Sequence, residues 1–244
     1  MHFPSIIPLF MKRFLYSILK GLADLAIWFI TLALLICLIR LPRSFEDANL
    51  AWAFLAGFAV GLPLFHRYRC IPCYVFGHEL THWAVATLFL RKTSNIRLSL
   101  HSGSVDVDRP NIWIILAPYF LPFYMLCILG IYGIVLIFDP PFPAWVDITI
   151  AAIIGLSYAY HVVLTCIAIS KGQQDLQING VVFSLSLIIV CNVFFVYLGL
   201  MIGTRQLLPG FKLLFNQLAA QSEIVWQAIR SLIALCRAEA TETP

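Results

Sequence analysis

Several apolar runs, which reach or approach twenty residues, restrict the possible folds of this chain more than any other feature. Hydrophobic residues fill 61% of its 244 positions and charged residues only 11%, whereas soluble domains are usually about 45–50% apolar and about 25% charged. A helix of roughly 20 apolar residues crosses a bilayer, and it satisfies its own backbone where lipid offers no hydrogen-bond partners. The sequence therefore predicts an all-α, polytopic integral membrane protein.

About six segments fit the length and apolarity of transmembrane helices. They cover residues 22–39, 50–65, 74–90, 112–138, 145–169 and 181–201. Pro118 and Pro122 interrupt the fourth segment and should kink or break it. Residues 211–237 place apolar side chains at helical spacing, which predicts an amphipathic helix at the membrane interface. We therefore expect one membrane-embedded domain over residues 1–207, followed by the interfacial helix and a short tail over 208–244.

Between the third and fourth segments, the hydrophobic period changes from helical to alternating. Apolar and polar residues alternate over 95–108, on both sides of Ser102-Gly103-Ser104. Two-residue alternation around a glycine turn is typical of a β-hairpin. The stretch is too short and too polar to cross a membrane, so we expect a short β-hairpin that follows the third helix.

The third segment contains the pentapeptide His78-Glu79-Leu80-Thr81-His82. Residues four apart share a helix face, so His78 and His82 can present two imidazoles to one metal ion. Glu79 lies beside that face and can act as general base toward a metal-activated water. This spacing is typical of zinc hydrolases, and ionisable residues at membrane depth indicate a functional site. The alternative is a helix face that only hydrogen-bonds to polar neighbours.

Two other features, a cysteine pair and the net charge, indicate no further metal site and no nucleic-acid partner. Cys70 and Cys73 form a single C-x-x-C pair just before the pentapeptide, and without a second pair such a motif is weak as a metal site. We interpret it as structural. The net charge of +4 is small for the length, and nothing in it indicates a nucleic-acid partner.

The sequence FGHELTHWA at residues 76–84, inside an apolar helix and followed by a predicted hairpin, resembles the site-2 protease family. The resemblance extends loosely over about 74–190. It implies an intramembrane zinc metallopeptidase that cuts membrane-protein or peptide substrates within or near their spanning segments. It also implies a third zinc ligand, an aspartate in an L-D-G element on a later, partly unwound helix.

This chain has no L-D-G element, and several residues compete for the role of third ligand. Asp175, in the sequence Q-D-L, is the preferred candidate, and its alternative role is that of a solvated loop carboxylate. His161 is the rival, because a histidine in an otherwise apolar span also needs a partner. His161 could instead orient one of the ligands from behind. Asp24 and His101 are weaker candidates.

Six complete crossings would separate Asp175 from the pentapeptide. His78 lies near the start of the third span and Asp175 near the start of the sixth, so an odd number of crossings places them at opposite membrane faces. The conflict disappears if the segment around Pro118 and Pro122 folds back, or if a re-entrant stretch leads into the sixth span. Otherwise Asp175 is not the ligand.

The sequence thus predicts a zinc-dependent metalloendopeptidase, with a lipid bilayer around it and a membrane protein or peptide as substrate. A catalytically inactive membrane scaffold that keeps a structural metal site is the alternative. Glu79 argues against the scaffold, since a structural site needs no base. A transporter with a proton or metal relay is less consistent with the chain, because the sequence has no pairing of repeats of the kind common in transporters.

Overall fold

The computed structural model describes residues 9–41, 48–100, 102–138, 143–203 and 206–242. These residues are mostly helical and include one small hairpin. In chain order the elements are α1 (Leu9–Arg40), α2 (Asn49–Arg67), α3 (Ile71–Leu88), β1 (Arg97–Leu98), β2 (Gly103–Ser104), α4 (Ile112–Phe120), α5 (Phe123–Ile137), α6 (Ala144–Ser170), α7 (Gln174–Ile178), α8 (Val181–Gly203) and α9 (Leu207–Glu242).

Within these described ranges, four helices are long and apolar enough to cross a membrane. They are Arg13–Arg40 of α1, Asn49–Arg67, Ala144–Ser170 and Val181–Ile202 of α8. Helices α4 and α5 pass the same test only as a pair, bent by 78°, which gives up to five candidates. Helix α3 has 18 residues and is not among them, since it carries the ionisable pentapeptide. The mostly helical class is confirmed, and the count of six spans stays a prediction.

The chain breaks between α4 and α5 at one of the two predicted prolines. Leu121 has extended backbone angles, φ −92° and ψ 109°, because the residue before a proline is disfavoured in the helical region. Pro122 follows it, and α5 starts one residue later. Pro118, in contrast, lies inside α4 and is buried there. The predicted break is therefore confirmed at Pro122 but not at Pro118.

The chain divides into two compact units, Met1–Glu46 with Val193–Pro244, and Asp47–Asn192. In the first unit α1 packs against α9, and Arg40 donates a hydrogen bond to Gln217 over 2.7 Å. The predicted domain boundary after residue 207 coincides with the start of α9, and as a boundary it stays a prediction.

In the second unit, α2 packs closely against α6 through small residues. A Cβ added to Gly57 would clash with the carbonyl of Ala152, and one added to Gly155 would clash with the carbonyl of Phe54. Glycines at such crossings let two helix backbones approach each other, as is common in membrane helices. This contact fixes α6, whose buried face includes His161.

The predicted hairpin is confirmed, but its turn is displaced from the glycine. Leu98 pairs with Gly103 and Arg97 with Ser104, and an isolated bridge joins Thr93 to Val107. The turn therefore falls before Gly103, where the Ser99 amide bonds to the carbonyl of Ser102. Gly103 is a strand residue that lies against Glu79 of α3.

Candidate metal centre

Helix α3 brings the two histidines of the pentapeptide together on one face. Pro72 lies in its first turn, a position where a missing amide hydrogen costs no helical bond. One turn of helix separates His78 from His82, and their ring centroids are 4.9 Å apart. Both side chains are largely buried, with 12% and 14% of their surface exposed.

Asp175 lies directly opposite this pair. Its Oδ2 atom is 4.0 Å from Nε2 of His78 and 3.9 Å from Nε2 of His82. Among the described residues, these three form the only group of at least three potential metal-binding side chains, with ligand atoms all within 4.8 Å of one another. The fold thus places side by side the three residues that the sequence analysis selects as ligands.

The donor set fits zinc in kind and closely in spacing. Imidazole nitrogen and carboxylate oxygen are both zinc donors, and bond lengths of about 2.0–2.1 Å put tetrahedral donors about 3.3–3.4 Å apart. The two measured separations, 4.0 and 3.9 Å, exceed that value by about half an ångström, a difference that small side-chain rotations close. Three protein donors leave one position of a tetrahedron open, which is typical of catalytic zinc sites.

The orientation of His82 follows from a proline in α4. Nδ1 of His82 is 2.8 Å from the carbonyl oxygen of Ile114. In a regular helix that oxygen would accept the amide hydrogen of residue 118, but Pro118 has none. Because a carbonyl only accepts, the ring proton must lie on Nδ1. Nε2 of His82 is thereby left with a lone pair that points toward Asp175, as a metal ligand requires.

Asp175 is held by a short helix and by a tyrosine. Gly172 and Gly180 have positive φ angles of 76° and 84° and form the turns before and after α7, conformations that suit glycine. The hydroxyl of Tyr119, from the buried part of α4, donates a 2.8 Å hydrogen bond to Oδ2 of Asp175. The segment around Asp175 is thus a short helix, and it presents the Asp175 carboxylate to α3 and α4.

Glu79 faces the hairpin and is not part of the three-residue group. It is 9% exposed, and the backbone amide of Val105 hydrogen-bonds to its carboxylate. A Cβ on Gly103 would be 2.5 Å from Cγ of Glu79 and 2.8 Å from Cγ1 of Val75. Strand β2 lies this close to α3 because residue 103 has no Cβ atom.

The remaining candidates lie outside the three-residue group. His161 is buried on α6 and lines a small cavity together with His78. Asp24 lies on α1 in the other compact unit, and His101 is outside the described residues.

The C-x-x-C pair forms a disulfide at the start of α3. The two Cα atoms of Cys70 and Cys73 are 5.4 Å apart, and both backbone carbonyls accept hydrogen bonds from tyrosines. Tyr160 donates to Cys70 over 2.8 Å and Tyr124 to Cys73 over 2.6 Å. The segment therefore ties the first turn of α3 to α5 and α6.

Three contributors to the site are absent from the sequence interpretation: the Tyr119 hydroxyl, the Ile114 carbonyl and the close contact at Gly103. Tyr119 was recognisable as a polar side chain between two prolines of an apolar span. The other two depend on which backbone atoms meet across helices, and no residue pattern encodes that.

Comparisons with protein-family models, curated proteins and solved structures found no match. The function of this protein must accordingly be inferred from the arrangement of its own residues.

Proposed function

We propose that this protein is an intramembrane zinc metallopeptidase of the site-2 protease type. It would hydrolyse peptide bonds within or near the membrane-spanning segments of other proteins. His78, His82 and Asp175 would hold the zinc ion, and Glu79 would act as general base.

The observation that carries the proposal is the position of Asp175. Ninety-odd residues separate it from the pentapeptide, yet its carboxylate lies 3.9–4.0 Å from both Nε2 atoms. Bringing three ionisable side chains together in an apolar chain is energetically costly, and groups kept at such a cost usually serve a function. Tyr119 and the Ile114 carbonyl provide the outer hydrogen bonds that orient metal ligands.

Glu79 carries the proton in the proposed reaction. A zinc ion in this site would polarise the scissile carbonyl and activate a water molecule for attack. Glu79 accepts the proton of that water and passes it to the leaving amine. The amide of Val105 and the close contact with Gly103 hold the carboxylate at the edge of the site.

We also propose that α3 and the bent α4–α5 pair lie within the membrane together with the four longer apolar helices, which gives six membrane-embedded segments with the bent pair folding back on itself. An 18-residue helix is about 27 Å long at 1.5 Å per residue, close to the roughly 30 Å hydrocarbon thickness. The bend of 78° is of the kind that avoids the conflict between six straight crossings and a site shared by α3 and α7.

The experiment is a comparison of zinc content and cleavage in Glu79→Gln. The purified chain is reconstituted in phospholipid vesicles with a library of single-span peptides, and products are identified by mass spectrometry. We expect the variant to keep its zinc and to lose cleavage by a factor of at least about 10²–10⁴, the usual contribution of a general base. Glu223→Gln, on α9, is the matched control because this exposed residue only pairs with Gln227.

Cleavage by Glu79→Gln at the rate of the unaltered chain would contradict the proposed mechanism. An unaltered chain that binds zinc firmly, cleaves nothing in the library and has no exchangeable coordination position would instead indicate the scaffold.

A further inference from the structure

A small cavity lies beside His78 in the second compact unit. Its volume is about 20 Å³, and its walls come from α3, the α4–α5 bend and α6. The aromatic rings of Tyr124 and Tyr160 form part of the lining, with His78, Ser157 and His161. A cavity of this size holds one water molecule where enough polar groups face it.

Four residues that line this cavity have a buried polar atom with no hydrogen-bond partner among the described residues. One is the hydroxyl of Tyr74, whose polar neighbour is Thr165. The others are Nδ1 of His78, Oγ of Ser157 and Nε2 of His161. An unpaired buried polar atom is destabilising, so most such atoms in proteins are paired with protein or with ordered water. The last three of these atoms, around one cavity, indicate a shared polar ligand.

The hydrogen-bonding roles of these atoms are compatible with one another. His161 also interacts with the backbone of Tyr119 and with the side chain of Asn192. The amide nitrogen of Asn192 already donates to two carbonyls, so its oxygen is the atom that can accept the ring N–H of His161. Because Nε2 has no such partner, the proton is on Nδ1 and Nε2 is an acceptor. His78 uses Nε2 toward Asp175, which leaves Nδ1–H as a donor. One water molecule can accept from His78 and Ser157 and donate to His161.

We propose that a single ordered water molecule occupies this cavity and bridges Nδ1 of His78 to Ser157 and to Nε2 of His161. His161 is then a positioning residue that acts on the metal site through His78. This inference rests on the proposed function, since it assigns an outer partner to one of the proposed zinc ligands. The two imidazoles differ in this respect, because His82 bonds directly to the Ile114 carbonyl.

The test is the zinc affinity of the full-length chain in detergent micelles, measured by competition with a chelating dye. Loss of an outer partner usually weakens metal binding by about 10–100-fold, and we expect this for His161→Ala. His161→Gln keeps a polar group at the cavity and should recover part of the affinity. Thr149→Val is the matched control, because Thr149 lies on α6, bonds to the carbonyl of Trp145 and does not line the cavity.

A His78→Ala background separates positioning from packing. If His161 acts through His78, the His161→Ala substitution has little further effect on zinc affinity once His78 is gone. A purely structural role would weaken binding equally in both backgrounds. The Co²⁺ absorption spectrum gives a second readout, and it should shift in His161→Ala but not in Thr149→Val.

The outcomes distinguish the two proposals. Tight zinc binding by the unaltered chain with unchanged affinity in a folded His161→Ala overturns the water bridge and leaves the proposed function intact. Failure of the unaltered chain to bind zinc overturns the proposed function and the bridge with it. Weakened binding in His161→Ala, partial recovery with glutamine and loss of the effect in the His78→Ala background support the bridge.

Discussion

At the scale of single residues, the candidate site consists of three possible metal donors and the groups that orient them. The Tyr119 hydroxyl bonds to Asp175, and the Ile114 carbonyl fixes the proton of His82. Such outer contacts are typical of metal sites, where they set the ring orientation and increase ligand basicity. The three possible donors and their two outer partners come from three elements, α3, α4 and α7.

Tyr119→Phe tests the outer contact of Asp175. Removing the hydroxyl leaves the ring in place but releases one oxygen of the carboxylate, so we expect zinc affinity to fall about tenfold with little change in folding. Dye competition for zinc measures this. Tyr132→Phe is the matched control, since Tyr132 donates the same kind of bond to Asp147 away from the metal group. Equal affinities for the two variants would exclude an orienting role for Tyr119.

Pro118→Ala tests how the backbone orients His82. Alanine supplies the amide hydrogen that proline lacks, and this hydrogen competes with His82 for the Ile114 carbonyl. We expect zinc affinity to fall by a factor of about 3–10, less than for the loss of an entire outer partner. Pro63→Ala provides the control, because Pro63 lies inside α2 and its replacement should leave zinc binding unchanged. An unaltered affinity in Pro118→Ala would contradict the argument.

At the scale of elements, the hairpin contacts helix α3 at Glu79, the proposed general base, and not at the proposed ligands. Gly103 lies against Glu79, and Val105 bonds to its carboxylate. The register of the hairpin therefore determines where Glu79 can lie. The short helix α7 has the corresponding role for Asp175, since the turns at Gly172 and Gly180 set its position.

Gly103→Ala should separate catalysis from metal binding. The added methyl group would lie 2.5 Å from Cγ of Glu79, so either Glu79 or strand β2 must move. We expect cleavage to fall at least tenfold, because misplaced catalytic groups are costly, while zinc content stays unchanged. Ser104→Ala, an exposed neighbour in the same strand, should retain full activity. Parallel loss of zinc and cleavage in Gly103→Ala would show that the hairpin acts on the whole site.

At the scale of the whole molecule, the sequence predicted the helical class, the hairpin and the grouping of His78 with His82. Apolar runs and residue spacing determine these features locally. The turn of the hairpin was misplaced because the position of Gly103 depends on Glu79, a residue on another element. Asp175 was only preferred over His161, because which of the two lies beside the pentapeptide depends on how α3, α4 and α7 pack, and residue spacing does not encode this.

The four long apolar helices lead to a prediction for the complete chain in cells. We expect it to remain with the membrane fraction after extraction with alkaline carbonate, which releases peripheral proteins but not spanning helices. Immunoblotting of the pellet and the supernatant measures this. Recovery of most of the chain in the supernatant would contradict a spanning arrangement.

We propose that His78, His82 and Asp175 bind one zinc ion and leave one position open, and X-ray absorption at the zinc edge of the purified chain tests this arrangement. We expect one zinc per chain with two imidazole nitrogens and two oxygen donors at about 2.0–2.2 Å, one oxygen being lost or replaced in Asp175→Ala. Sulfur ligands, four protein donors that close the site, or a chain without bound zinc would contradict it.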